Sequence, residues 1–193
     1  MKDILAQPIR IGSLQAKNRI LMPPMYRPWS SPSGKVSDRH VAYYRERAQG
    51  GTGTIVVETT AVRRDYRLSE ANIGIWAEEH VEGLSKIARV IHSNNVLALI
   101  QINHASVDRS LNPEEIVTIK DAFVAAARRA EEANFQGVEL HAAHGFLLSR
   151  LLSSQFNQQE DEYGGSIAGR MRLLFEIGAL VRKSTDSRFV LGI

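Results

Sequence analysis

The stretch that decides the fold is Gly137-Val138-Glu139-Leu140-His141-Ala142-Ala143-His144-Gly145-Phe146. Its first half is short and mainly apolar, as expected of a strand that is covered on both faces. Two histidines follow within four positions, next to a glycine that permits a tight turn. Polar groups at the end of a buried strand are typical of parallel α/β proteins, whose sites lie at the carboxyl ends of their strands.

The same alternation of a short β-branched run with a longer helical segment extends along the chain. Apolar periodicity predicts helices that begin after Ser37 and Ser166, which are suitable N-caps, and ends for two helices at Gly50-Gly51 and Asn94-Asn95. The predicted strands cover residues 19–22, 54–60, 96–104, 137–141 and 189–193, and the predicted helices cover residues 37–49, 78–92, 114–134 and 167–183.

Periodicity alone does not separate an open doubly wound sheet from a barrel, but the motifs do. No glycine-rich G-x-G-x-x-G turn follows the first predicted strand, where a dinucleotide-binding fold carries one. Polar residues instead follow several strands, as in barrel enzymes. The sequence therefore predicts an α/β fold that is a partial TIM (β/α)8 barrel, with about the first four β/α units and a fifth strand.

The composition excludes several classes of protein. The 193 residues are 44% hydrophobic and 23% charged, and the 24 Lys and Arg residues are scattered, so nucleic acid is not an expected partner. Cysteine is absent, which excludes disulfides and thiolate metal sites. No apolar window approaches the roughly 18 residues of a membrane span, so no membrane partner and a cytoplasmic location are expected.

Five stretches, in order along the chain, make the sequence similar to the Old Yellow Enzyme family of NADH:flavin oxidoreductases. The resemblance covers nearly the whole chain, and its strength comes from the order of the stretches, since each alone is a weak signal. They are Pro8-Ile9-Arg10-Ile11-Gly12-Ser13 with Lys17-Asn18-Arg19-Ile20, Val57-Glu58-Thr59-Thr60-Ala61-Val62, Gln101-Ile102-Asn103-His104-Ala105, the deciding stretch continued through Leu147-Leu148, and Asp161-Glu162-Tyr163-Gly164-Gly165-Ser166.

The resemblance implies an enzyme with noncovalent FMN across the barrel mouth, reduced by NADH or NADPH and reoxidised by a small molecule such as an electron-poor alkene or a quinone. An isoalloxazine edge needs amide-like partners, and Gln101 offers both a donor and an acceptor. A glutamine that caps a strand end is the alternative. Pro24, Met25, Tyr26 and Thr59 match the family's positions around the flavin ring, although strand-end packing would also explain them.

His141 and His144 match the histidine pair that hydrogen-bonds the acceptor's oxygen, polarising it as hydride arrives. A lone strand-end histidine is more often structural, but two within four residues favour a shared role. Zinc is the weaker alternative, because no third ligand stands at a suitable spacing. No metal is predicted.

Three positions depart from the family's pattern. Phe146 stands where many members have a tyrosine that donates a proton to the substrate carbon, and phenylalanine has no hydroxyl. Tyr26 stands where many place a threonine or cysteine that tunes the flavin, and Pro28 replaces an aromatic substrate contact found in some relatives. The identity of the acceptor is therefore not transferable from the family.

The length also departs from the family. Residues 1–193 are expected to form the N-terminal portion of one FMN-dependent barrel domain, shortened between His104 and Leu111 and ending in strand five. The family's phosphate-binding loops follow strands seven and eight, so the chain alone is expected to bind FMN weakly. Its open strand edges predict association, most simply as a homo-oligomer.

Two functions of different classes remain from the sequence. The first is an FMN-dependent NAD(P)H oxidoreductase, incomplete as an isolated chain. The second is a noncatalytic half-barrel fragment or assembly module that does not hold flavin tightly. A third, an aldolase-like barrel, is disfavoured because no lysine lies inside a predicted strand to form a Schiff base.

Overall fold

The central element of the computed structural model, which describes residues 4–107 and 110–193, is a parallel sheet of five strands. The strands lie side by side in chain order, and each pairs with the next in parallel. An open doubly wound sheet would interrupt this order at a switch point. The sheet consists of β3 (Leu21–Met22), β4 (Thr54–Ala61), β5 (Leu97–Asn103), β6 (Gly137–Leu140) and β7 (Val190–Gly192).

Helices connect the strands and cover the outer face of the sheet. In α2, Leu84, Ile87, Ala88 and Ile91 recur at helical spacing and are all buried, so the apolar stripe of the sequence is the face that packs on the sheet. The helices are α1 (Asp38–Gln49), α2 (Val81–His92), α3 (Pro113–Glu132), α4 (Leu147–Leu152) and α5 (Ile167–Ser184).

The boundaries of three of the four predicted helices, α1, α3 and α5, are confirmed to within two residues. Ser166 caps α5, because its hydroxyl accepts a hydrogen bond from the Gly169 N–H at 3.1 Å. After α1 the chain turns at Gly51, whose φ of +96° only glycine adopts readily. The predicted helix over residues 78–92 differs in its first turn, which is a 3-10 turn over Glu78–His80.

An antiparallel hairpin precedes the sheet, in a region where the sequence predicts no strands. It consists of β1 (Ile9–Ile11) and β2 (Leu14–Ala16). Ile11 and Leu14 pack against Val56, Leu99 and Val190, which are the buried side chains of a small cluster on β4, β5 and β7. The hairpin thereby covers apolar side chains of the sheet that would otherwise face solvent.

Two strands of the sheet have one neighbour each, since β3 and β7 are its edges. Leu21 on β3 is 49% exposed, and Ile193 next to β7 is 71% exposed. The predicted shortening between β5 and α3 includes Asp108 and Arg109, which lie outside the described residues. Among residues 4–107 and 110–193, no helix combines the length and apolar character needed to cross a bilayer.

Candidate active site

A cleft of about 530 Å³ opens at the carboxyl ends of the sheet strands. The volume is within the range of small-molecule and cofactor sites. The parallel arrangement brings together side chains that are far apart in sequence, as predicted from the polar strand ends. The lining residues are Pro23, Pro24, Met25, Gln101, Glu139, Leu140, His141, Ala142, Ala143, His144 and Ile193.

Gln101 and Glu139 lie opposite each other in the register of β5 and β6. The Gln101 Nε2 donates a hydrogen bond of 2.7 Å to the Glu139 Oε1. Gln101 is only 6% exposed, whereas Glu139 is half-buried. The sequence predicts Gln101 as a site residue but not Glu139. An acidic residue inside a buried strand is nevertheless a usable signal, because such residues are rarely buried without a partner.

The two histidines are adjacent in space. The His141 Nε2 and the His144 Nδ1 are 3.3 Å apart, and the ring centroids are 5.0 Å apart. His141 is buried and His144 is exposed. Burial, with a further contribution from the charge of His144, lowers the pKa of His141 to about 4. His141 is therefore neutral at physiological pH and can offer one N–H to a ligand or to its neighbour.

Phe146 lies beside the histidine pair, with its ring centroid 5.4 Å from that of His141. It stands at the N-cap position of α4 and is half-buried. Its ring supplies an apolar wall without a donor or acceptor. A proton for a substrate atom at this place must come from another group or from water.

A buried glutamate on β4, Glu58, holds the segment after β3 in place through hydrogen bonds. The Arg27 backbone N–H donates to the Glu58 Oε1 at 3.0 Å, and the Tyr44 hydroxyl donates to the Glu58 Oε2 at 3.0 Å. The Tyr44 oxygen in turn accepts from the Glu58 N–H at 2.9 Å. These bonds tie the loop that carries Pro24 and Met25 to α1 and β4.

Burial dominates the electrostatics of Glu58. It raises the pKa of this carboxyl to about 7, although hydrogen bonds from Arg27 and Tyr44 oppose the shift. Nearby His40 is also buried, and desolvation lowers its pKa to about 4. The His40 Nε2 lies 3.9 Å from the Glu58 Oε1, which is too long for a hydrogen bond. Glu58 lies in one of the stretches that carry the family resemblance, and the sequence predicted no role for it.

Two of the residues predicted to contact the cofactor do not line the cleft with the others. The Tyr26 hydroxyl forms a hydrogen bond with the Ser69 hydroxyl. Thr59 is buried in β4, where its carbonyl accepts from the Asn72 side chain at 2.8 Å. Among the described residues, the Thr59 hydroxyl has no hydrogen-bond partner. The structure thus brings together Pro24, Met25, Gln101, His141 and His144.

Comparison with known sequences gives one family over nearly the whole chain. The profile of the NADH:flavin oxidoreductase / NADH oxidase family matches residues 4–109 and 104–192. An NADPH dehydrogenase of Clostridium acetobutylicum is 37% identical over 90% of this chain and 58% of its own length. An NADPH dehydrogenase of Bacillus subtilis is 37% identical over 94% of this chain and 61% of its own length. The chain therefore spans about three fifths of these relatives.

Solved structures agree with the sequence comparison. A 2-naphthoyl-CoA reductase is 27% identical with a TM-score of 0.95, over 99% of this chain and 35% of its own. The Old Yellow Enzyme homologue from Zymomonas mobilis is 28% identical with a TM-score of 0.88, over 94% of this chain and 60% of its own. These neighbours are TIM barrels, so the prediction of a partial barrel is confirmed.

Proposed function

Because the chain belongs to the NADH:flavin oxidoreductase / NADH oxidase family, we propose that it forms the ring-binding and acceptor-binding part of an FMN-dependent NAD(P)H oxidoreductase. One observation carries the proposal. The amide of Gln101, the apolar Pro24 and Met25, and the pair His141 and His144 all open into the same cleft. The residues proposed to bind the cofactor therefore lie next to those proposed to bind the acceptor.

The residues present fit a flavin ring. Pro24, Met25 and Leu140 offer apolar contacts for a planar aromatic system, and Gln101 offers a carbonyl and an N–H for ring heteroatoms. The buried, unpartnered hydroxyl of Thr59 is a further candidate for a polar cofactor atom, because buried polar groups are normally paired. FMN, when bound, supplies hydride transfer between the nicotinamide donor and the acceptor.

The histidine pair is suited to hold the acceptor's oxygen. Neutral His141 presents no positive charge that would bind an anion indiscriminately, but its single N–H can stabilise negative charge as it develops on a carbonyl or nitro oxygen. The turn at His144 and the buried position of His141 fix the two rings before the acceptor arrives. Preorganised donors of this kind stabilise a transition state without a reorganisation cost.

Phe146 favours a class of acceptor. Reduction of an alkene requires a proton at carbon, which an adjacent hydroxyl would deliver, whereas reduction of a quinone places protons on oxygens that exchange with solvent. Because Phe146 packs beside His141 without a hydroxyl, we propose quinone-like acceptors ahead of alkenes. The donor is proposed to be NADPH or NADH, and the curated relatives named NADPH dehydrogenase support the former.

The test is a pair of half-reactions. The purified protein is equilibrated with FMN and titrated with NADPH or NADH without oxygen, and the flavin absorbance near 450 nm is followed. Bleaching, followed by recovery when a quinone or enone is added, is the expected result. Lack of any FMN binding at millimolar cofactor would favour the alternative, a noncatalytic half-barrel that serves as an assembly module.

A further inference from the structure

The hydrogen bond between Gln101 and Glu139 constrains which groups the cleft can present. An ionised carboxylate only accepts hydrogen bonds, so it must take an N–H from the Gln101 amide, as the 2.7 Å contact has it. Rotation of the amide by half a turn would place the carbonyl oxygen against the carboxylate. Two acceptors at that distance repel each other, so one amide orientation is strongly preferred.

This orientation leaves two groups of Gln101 for a ligand. The carbonyl oxygen faces away from Glu139, and the second N–H of the amide is also free of the carboxylate. Since Gln101 and Glu139 are cross-strand neighbours that both line the cleft, their side chains project from the same face of the sheet. Oxidised flavin has a single ring N–H, at N3, between two carbonyl groups. An oriented amide carbonyl is the partner that this N–H requires.

We propose that Glu139 is a positioning residue, which holds the Gln101 amide so that its carbonyl oxygen receives the flavin N3–H. The inference rests on the proposed FMN site. Glu139 also brings a negative charge to the cleft, and reduction of flavin adds electron density to the same ring system. The carboxylate therefore has two separable effects, one on the orientation of Gln101 and one on the reduction potential.

The first experiment compares FMN with 3-methyl-FMN, which lacks the N3–H, in the wild-type protein and in Glu139→Gln. The new amide at position 139 can donate or accept, so it allows the Gln101 amide to rotate by half a turn. We expect Glu139→Gln to weaken FMN binding by about tenfold, the size of one hydrogen bond. We expect 3-methyl-FMN binding to change little. Equal losses for both cofactors would overturn the proposal.

The second experiment separates orientation from charge. Glu139→Asp keeps the charge but is one methylene too short to hold the 2.7 Å bond. This variant should lose the discrimination against 3-methyl-FMN while keeping the wild-type midpoint potential. Glu139→Gln should raise the two-electron potential by about 30 mV, which is a tenfold change in the relative affinity for reduced flavin. A residue that only stabilises the fold would lower the melting temperature without either pattern.

Glu132→Gln is the matched control, because Glu132 is exposed on α3 and is not one of the residues that line the cleft. It should leave both the discrimination and the potential unchanged. If the wild-type protein binds no FMN, the proposed function and this inference fall together. If it binds FMN and the Glu139 variants discriminate as the wild type does, only the role of Glu139 is wrong.

Discussion

At His144 the backbone φ is 58°, a left-handed conformation that residues other than glycine adopt rarely, and Gly145 follows with a φ of 77°. Such a residue costs of order 1 kcal/mol or more, and it persists only where its surroundings impose the conformation. Here the Gly145 N–H donates to the Ser149 hydroxyl at 3.1 Å, and the Arg150 Nε donates to the Gly145 carbonyl at 2.8 Å. Residues of α4 thus stabilise the turn that places the His144 ring next to His141.

The role of the histidine pair is tested by measuring the two half-reactions of the flavin separately. We expect His141→Ala or His144→Ala to slow reoxidation of the flavin by an enone or quinone by about 10²–10³, the usual effect of removing one preorganised donor. Reduction of the flavin by NADPH should change much less, because the donor needs no polarised oxygen. Stopped-flow absorbance measures both rates. His92→Ala is the control, since His92 hydrogen-bonds the Asn134 carbonyl and neither residue lines the cleft. Equal slowing of both half-reactions would make the pair structural.

Phe146 gives a prediction with a gain of function. We expect Phe146→Tyr to raise turnover with alkene acceptors by about tenfold or more, because a positioned proton donor contributes about 10²–10⁴ when its geometry is optimal. Quinone reduction should stay nearly constant. Steady-state rates with both acceptor classes provide the measurement. Phe156→Tyr is the matched control, because that ring packs under Arg150 instead of His141. A parallel rise for quinones would contradict the proposed absence of a proton donor.

At the scale of elements, the bonds between β4, α1 and the loop after β3 converge on Glu58. This carboxyl faces Tyr44 and His40 from α1 and Arg27 from the loop. The pairing of β4 with β5 also shifts register between Val57 and Thr60, next to Glu58. An irregular site that buries a carboxyl group inside a strand costs stability. Its position is explained by its bonds, which fix the loop that faces the ligand.

Glu58 predicts a pH dependence of stability. Its folded-state pKa of about 7 exceeds the ordinary value of 4.5, so Glu58 favours the folded state at low pH. As pH rises from about 4.5 to 7 this contribution is lost, and the free energy of unfolding falls by about 3 kcal/mol. His40, with its pKa lowered to about 4, contributes with the opposite sign between pH 4 and 6.5. The wild-type curve therefore mixes both groups, and the effect of Glu58 must be isolated by comparison.

Glu58→Gln provides that comparison. The variant should be less stable than wild type at pH 5, because an amide has one acceptor oxygen where the carboxyl has two, so either the Arg27 N–H or the Tyr44 hydroxyl loses its acceptor. The gap should shrink or reverse at pH 8, where ionised Glu58 is unfavourable in the wild type. Urea unfolding at the two pH values measures the gap. His40 is present in both proteins and cancels from the difference. A gap that stays constant with pH would refute the raised pKa.

The elements also show what the sequence could predict. The strand predicted over residues 54–60 and the helix predicted over residues 167–183 agree with the structure to within one residue, because β-branched runs and helical periodicity are local signals. The bond from Gln101 to Glu139 depends on strand register, and the bonds of Glu58 depend on the packing of α1. Neither is written in local periodicity. Tyr26 was assigned by resemblance, which gives its position in the chain but not its bond with Ser69.

At the scale of the whole molecule, the sheet has two edges, β3 and β7, and the hairpin β1–β2 covers side chains of β4, β5 and β7. Unpaired backbone groups at a sheet edge can pair with another chain. Leu21 on β3 is about half exposed, and it carries none of the charges that proteins use to protect edges. A second copy of the chain is the simplest partner for such edges.

We therefore expect a protein that consists of these 193 residues to associate with itself in the micromolar range, as measured by sedimentation velocity over a concentration series. Leu21→Lys should weaken the association by about tenfold or more, because a lysine at an edge strand disfavours pairing with another edge. Phe175→Lys is the matched control, since Phe175 is an exposed apolar residue, 61% accessible, on α5 and not on a strand. A drop in association for Phe175→Lys alone would move the contact from the strand edges to the helical face, and a monomer at all concentrations would contradict association altogether.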